Sequence, residues 1–280
     1  MEIAQLREIA SQVRRDVVRM VHGAKSGHPG GSLGSCDLLV GLYFEVMKCD
    51  PQSFAMDGTG EDMFFLSNGH ICPAWYSVLA RRGFFPLEEL ATLRQLGSRL
   101  QGHPSTVDLL PGVRFASGSL GQGVSVAIGA AQAKKINGDT HTVFCLTGDG
   151  ELQEGQVWEA AMYASAKKVD NLVVITDYNQ KQIDGPLDEV LDMQDMAAKW
   201  RAFGWEVLTM QGNDMSDVVR VLKDARARSG KGKPLFILAH TEMGAGVDFM
   251  MGSHKWHGVA PNDEQLAAAL NQIPETLGDY

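Results

Sequence analysis

Five short stretches of the chain are almost continuously apolar: "DMFFLS" (62–67), "HTVFCLTG" (141–148), "NLVVITDYN" (171–179), "WEVLTM" (205–210) and "PLFILAH" (234–240). They are rich in β-branched and aromatic residues, and a strand apolar at nearly every position has no face to give to water. Segments of helical spacing lie between several of them. The clearest is "EGQVWEAAMYASAKK", in which Val157, Ala160, Ala161 and Ala164 share one face, the acids come first and Lys167 and Lys168 come last, the order the helix macrodipole favours. At the N-terminus Leu6, Ile9, Ala10, Val13, Val17, Met20 and Val21 recur at the same spacing, up to the glycine-rich "AKSGHPGGSLGS". Strands buried on both sides that alternate with helices need helices on both faces of a parallel sheet. The pattern therefore predicts an α/β fold with a doubly wound, mostly parallel sheet, one domain over 1–280, and ligands beyond the carboxyl ends of the strands.

Composition narrows the partners. The chain has 280 residues, 44% of them hydrophobic, and 25 Lys and Arg against 34 Asp and Glu leave a net charge of −9. That balance provides no overall basic footprint for nucleic acid, so an anionic ligand must be held locally. Cys36, Cys49, Cys72 and Cys145 are scattered without a CxxC pair, as expected of reduced thiols in the cytoplasm. The first 20 residues carry charges throughout, unlike a signal peptide, and no apolar run approaches the roughly 20 residues of a membrane span.

The stretch "LTGDGELQEG", Leu146 to Gly155, poses a question of charge. A glycine turn after a buried strand usually accepts phosphate, yet this one carries carboxylates. With a strand over Thr142–Leu146 and a helix from near Gln153, Gly148, Asp149 and Gly150 fall at a carboxyl strand end. Asn179 closes the next strand, one strand-helix-strand unit later, so both side chains can converge. An acid, an amide and a backbone carbonyl suit a hard cation such as magnesium or calcium. A lone carboxylate repels a phosphate charge by about 4 kcal/mol at an effective dielectric near 20, and a divalent ion between them reverses the sign. The stretch thus reads as a metal-diphosphate site. Gly-Asp-Gly is also a common turn with no ligand, Glu151 and Glu154 equally suit a helix N-terminus, and Asn179 alone is equally a turn former.

Taken together, "GDGELQEGQVWEA" with "DYNQKQIDG", "SGHPGGSLG", "LSNGH", "QGHPS" and "SGSLGQG" resemble the transketolase family and its thiamine diphosphate signature. The motifs run in the family's order from Ser26 to about Pro261. The resemblance covers the first third of an ordinary transketolase, without the pyrimidine-binding and C-terminal domains, and so implies the N-terminal subunit of a split transketolase. It implies that Asp149 and Asn179 bind magnesium, or another divalent cation such as Ca2+ or Mn2+, with the carbonyl of Lys181. Gly150 would let the backbone approach the diphosphate. Gly118 and Leu120 would contact the aminopyrimidine, and Glu154 would lie at a dimer interface. His28, His70, His103 and His257 would surround the thiazolium and the donor's hydroxyls, with His70 and His257 also near the diphosphate. His254 is the alternative to His257, which "WHGVAP" favours. His22, His141 and His240 match no motif and read as structural.

The implied activity is transfer of a two-carbon glycolaldehyde unit from a ketose phosphate to an aldose phosphate. Its activating glutamate would come from a C-terminal partner subunit in an α2β2 assembly. Two other readings remain at this stage: the alpha subunit of a 2-oxo acid dehydrogenase, which shares the Gly-Asp-Gly and Asn motif, and a non-catalytic regulatory subunit. No GxGxxG turn supports a nicotinamide dehydrogenase. The individual sugars are not legible.

Overall fold

The computed structural model describes residues Met1–Tyr280. The apolar stretches form five parallel strands, β1 (Met63–Leu66), β2 (Val143–Gly148), β3 (Leu172–Tyr178), β6 (Glu206–Gln211) and β7 (Leu235–His240), in the order β1-β2-β3-β7-β6. A two-residue hairpin, β4 (Lys181–Gln182) with β5 (Gly185–Pro186), projects just after β3. The doubly wound α/β expectation holds.

Successive residues of each strand point into different cores. Phe64, Leu66, Phe144, Leu146, Val173, Ile175, Leu235 and Ile237 enter the larger core. There they meet α1 (Ile3–Ala24), α3 (Cys36–Gly41), α4 (Cys72–Arg82) and α9 (Met215–Arg228). Met63, Phe65, Val143, Cys145, Leu172, Val174, Phe236 and Leu238 enter the smaller core. That core is closed by α5 (Gly123–Ile136), α6 (Gly155–Ala166) and α8 (Met196–Ala202). Val157, Ala160, Ala161 and Ala164 are the buried face of α6, as the spacing predicts. Cys36, Cys72 and Cys145 are buried and Cys49 is partly buried, all as free thiols. No helix is long and apolar enough to cross a membrane.

Two local expectations need correction. The helix placed near Gln153 begins at Gly155, because a 3-10 turn over Gly150–Gln153 intervenes. The glycine-rich "HPGGSLG" is not only loop: Pro29–Gly34 forms a short buried helix, α2, with proline in its first turn. Glycine there serves close approach. A Cβ at Gly34 would lie 2.9 Å from the Glu242 carbonyl oxygen, so α2 seats directly on the loop after β7 and fixes the turn that bears His28.

Gly34→Ala is expected to lower stability by about 1–3 kcal/mol through overpacking. Gly23→Ala, in α1 with open space at its Cβ, is expected to raise it by about 0.5–1 kcal/mol. Urea unfolding of both variants checks the pair.

Candidate functional site

The parallel register brings four strand ends to one crevice. Gly148 pairs with Asp177 and Tyr178 with His240, while β1 delivers Ser67 and Asn68 beyond Leu66. A cavity of about 330 Å3 opens there. His28, His70, His103, His257, Gly118, Leu120, Asp149, Gly150, Glu154, Asn179 and Lys181 all line it, together with Asn68, Glu151, Asp177, Gln153, Gln182 and Ile183. Residues separated by more than two hundred positions in the chain thus meet on one wall, the outcome expected where loops leave the carboxyl ends of an open sheet.

Asp149 is nearly closed to solvent at 2% exposure. Its Oδ2 accepts from the N–H of Gln180 at 2.5 Å and its Oδ1 from its neighbour Gly150 at 2.8 Å, while its own N–H donates to the Asp177 carbonyl at 3.2 Å. The ends of β2 and β3 are therefore laced together at the acid and the amide. Asn179 donates from Nδ2 to Asp177 Oδ2 at 3.0 Å, and its Oδ1 accepts from the N–H of Lys181 at the same distance. Thr241 also donates to Asp177. Burial, with Asp177 adding repulsion, lifts the Asp149 carboxyl to about 7, and burial lifts Asp177 to about 6 against the bonds from Thr241 and Asn179. Two buried carboxyls this reluctant to ionise are a place where a cation is favourable. No group of three His, Cys, Asp or Glu side chains could hold a metal ion by itself, so a cation here also draws on amide, carbonyl or ligand oxygens. The Lys181 ammonium lies between Glu242, at 3.3 Å, and the Asn179 carbonyl oxygen, to which it donates at 3.5 Å.

The histidine wall is compact. Ring centroids lie 5.1 Å apart for His28 and His70, 6.1 Å for His28 and His103, 5.6 Å for His28 and His257, and 5.0 Å for His70 and His257. The cavity takes in His257 and leaves out His254. Burial, then His257, Arg94 and His103, push His28 down to about 4. Burial and the other three rings push His70 well below the ordinary imidazole range, and burial lowers His103 and His257 as well. In all four rings the shift favours the neutral form. Nδ1 of His28 and of His257 is buried without a partner. Gly118 adopts φ +137° and would place a Cβ 3.1 Å from the His103 ring, so only glycine suits that turn. The remaining histidines stay outside: His22 bonds Asp263, His141 bonds Asp139, and His240 packs edge-on to Tyr178.

Glu151 and Asp177 play larger parts than their place in the sequence suggested. Glu151, 2% exposed, accepts from the Ser67 hydroxyl, from the N–H of Gly121 at 2.8 Å and from the N–H of Gly148 at 3.0 Å. One carboxylate thus ties together the loops after β1, before α5 and after β2, and it does so from inside rather than as an exposed helix-start acid. Glu154, at the N-terminus of α6, remains exposed and faces the cavity mouth. A signal for Asp177 was present in "DYN", two residues before Asn179 and therefore on the same side of the strand.

The pH dependence of the histidine wall has a definite sign. A histidine held below its unfolded value, near 6.5, contributes stability that is present above that value and lost as the pH falls. The Asp149 and Asp177 carboxyls, held above theirs, contribute in the opposite sense, losing stability as pH rises through about 6 and 7. Comparison with His28→Gln cancels the carboxyl part. Wild type is expected to lose stability relative to His28→Gln as the pH falls from 6.5 towards 4, and urea unfolding at several pH values measures it.

Residues 5–274 match the family described as transketolase, thiamine diphosphate binding domain. The chain is 38% identical over 277 residues to an apulose-4-phosphate transketolase subunit of Phocaeicola vulgatus, covering 99% of this chain and 96% of that one. It is 38% identical over 269 residues to the 6-deoxy-6-sulfo-D-fructose transketolase subunit SqwG of a Clostridium species, covering 96% of each. Among solved structures, transketolase from Campylobacter jejuni superposes with a TM-score of 0.89 at 35% identity. That match covers 98% of this chain but 43% of the other, so the chain spans less than half of that enzyme. With the strand-end crevice and its histidine wall on one side and these likenesses on the other, the chain belongs to the transketolase family, as a thiamine diphosphate-binding domain.

Proposed function

We propose that this chain is the N-terminal subunit of a two-chain transketolase that moves a glycolaldehyde unit from a ketose phosphate to an aldose phosphate. The observation that carries the proposal is the meeting of four histidines with Asp149 and Asn179 in one cavity. The two-chain arrangement is supported by relatives that are themselves named as transketolase subunits, which this chain matches over 96% of their length. A cytoplasmic setting is in keeping with its free thiols.

Each residue has a physical task in this reading. Asp149 and Asn179 hold Mg2+ or a similar divalent ion through side-chain oxygens, and Lys181 through its carbonyl. The lifted carboxyl of Asp149 and the unpartnered buried atoms around the cavity support a fit to a charged, polar ligand. Gly150 keeps the backbone beside the diphosphate free of a side chain, and Gly118 and Leu120 line the side taken by the aminopyrimidine. Glu154, exposed at the mouth, meets a neighbouring subunit. Thiamine diphosphate supplies the electron sink that lets the bond between the ketose's second and third carbons break.

The histidines handle protons. A neutral imidazole can accept a hydroxyl proton or donate to a developing alkoxide, and a ring already charged can do only the second. His28 and His103 face the sugar's hydroxyls, while His70 and His257 lie between sugar and diphosphate. The partner subunit supplies the carboxylate that activates the cofactor and the grip on the sugar's distal phosphate, within a symmetric α2β2 assembly.

Mixing the chain with its partner subunit is expected to produce ketose-dependent glycolaldehyde transfer that neither chain shows alone; full activity in this chain alone would refute the split arrangement. Asp149→Ala is expected to weaken Mg2+-dependent thiamine diphosphate binding about a hundredfold, roughly 3 kcal/mol. Calorimetric titration of the paired chains checks this.

A further inference from the structure

Asn68 stands apart among the buried polar residues of the site. It is 1% exposed and lines the cavity, yet neither its Nδ2 nor its Oδ1 has a hydrogen-bond partner. Buried amides are almost always satisfied, so two free atoms on one side chain call for a cause. The residue has a local alternative and forgoes it. Asn68 occupies the position before the 3-10 turn Gly69–Ile71, where an asparagine commonly caps with its side chain, and it makes no such bond.

The backbone around it is held tightly. The N–H of Ser67 donates to the Leu146 carbonyl at 2.8 Å, the N–H of Gly69 to the Ser67 carbonyl at 2.9 Å, and the N–H of Ile71 to the Asn68 carbonyl at 3.1 Å. Ser67 is further fixed through its hydroxyl, which accepts from the N–H of Gly123 at 3.0 Å and donates to Glu151. The side chain therefore points where the loop aims it. It lies over Gly148, where an added Cβ would sit 3.7 Å from the Asn68 Cβ and 3.8 Å from Nδ2. Gly148 precedes Asp149, so the amide borders the place assigned above to the diphosphate and its cation.

We propose that Asn68 is a cofactor-contacting residue whose unpartnered amide reads the diphosphate–cation headgroup. This rests on the transketolase reading of the site and extends it. The division of labour follows from chemistry. A diphosphate offers only acceptors, so Nδ2 is the atom that meets a phosphate oxygen. Oδ1 needs a donor, and a hydrated divalent ion would offer one, since magnesium usually keeps several of its waters. Asn68 also explains its own isolation: the polar atoms are kept from local partners so that they are free for the ligand.

Stability and affinity should therefore move apart in variants. Asn68→Leu removes both unpartnered atoms and keeps much of the volume, and Asn68→Ala removes the amide alone. In ligand-free protein the melting temperature of Asn68→Leu is expected to stay level or rise, because no bond is lost and a buried unsatisfied amide is removed. Calorimetry on the chain paired with its partner, with excess Mg2+, is expected to show thiamine diphosphate binding weakened roughly tenfold or more in both variants, and thiamine binding nearly unchanged. A lower melting temperature with unchanged affinity would make Asn68 a structural residue and overturn the inference. Unchanged values of both would show the amide idle and overturn it equally. Failure of the wild-type pair to bind thiamine diphosphate would strike the cofactor reading itself, a result distinct from either.

Discussion

Two carboxyls shut away from water at the ends of paired strands set the terms for the whole site. Asp149 and Asp177 are 2% exposed each, and the 3.2 Å bond from the Asp149 N–H to the Asp177 carbonyl keeps them together. Their ionisation is opposed by burial and, at Asp149, by the neighbouring acid, which is why the values climb to about 7 and about 6. Such a pair is costly to charge alone and favourable to charge beside a cation. In the proposed reading, the acidic turn that would repel an anion becomes, with a cation, the means of holding one. The overall charge of −9 does not oppose this, because the sign that matters is set within a few ångströms.

Around that pair the molecule is preorganised rather than relaxed. Glu151 anchors three loops from within, Gly118 turns through a conformation that only glycine takes easily, and α2 rests on the loop after β7 without an intervening side chain. The histidine wall and Asn68 are consequently presented with several polar atoms unmatched. Each unmatched buried group costs folding free energy of about 1–3 kcal/mol. A chain selected only for stability would remove them, and a site that must receive a polar ligand keeps them. The same burial that leaves Nδ1 of His28 and of His257 unpartnered also disfavours the charged form of all four imidazoles.

Much of the fold was legible because its signals are local and repeated. Each of the five apolar stretches became a strand, and the four small residues of α6 became its buried face, since periodicity reports directly on which sides are dry. The short α2 was less visible: glycine and proline signal turns, and only the closeness of the Glu242 backbone makes a buried helix of such residues favourable. The start of α6 slipped by two residues because a 3-10 turn consumed the intervening segment. Motifs also pointed to the lining of the cavity, including His257 in place of His254. Asn68 and the bracing role of Glu151 were hidden, because an amide in "LSNGH" and an acid in "GDGEL" look like ordinary turn and helix-start residues until their partners, or lack of them, are known.

The sequence by itself determined the layered α/β architecture, the parallel sheet and the family, because apolar periodicity and motif order are properties of the chain read in line. Tertiary structure alone decided how Ser67, Gly121 and Gly148 share one carboxylate, which imidazole nitrogens stay unpartnered, and how far burial moves the acids and histidines from their ordinary values. Those outcomes depend on distance and exclusion of water between residues far apart in the chain, and neither quantity exists before the strands have taken their register.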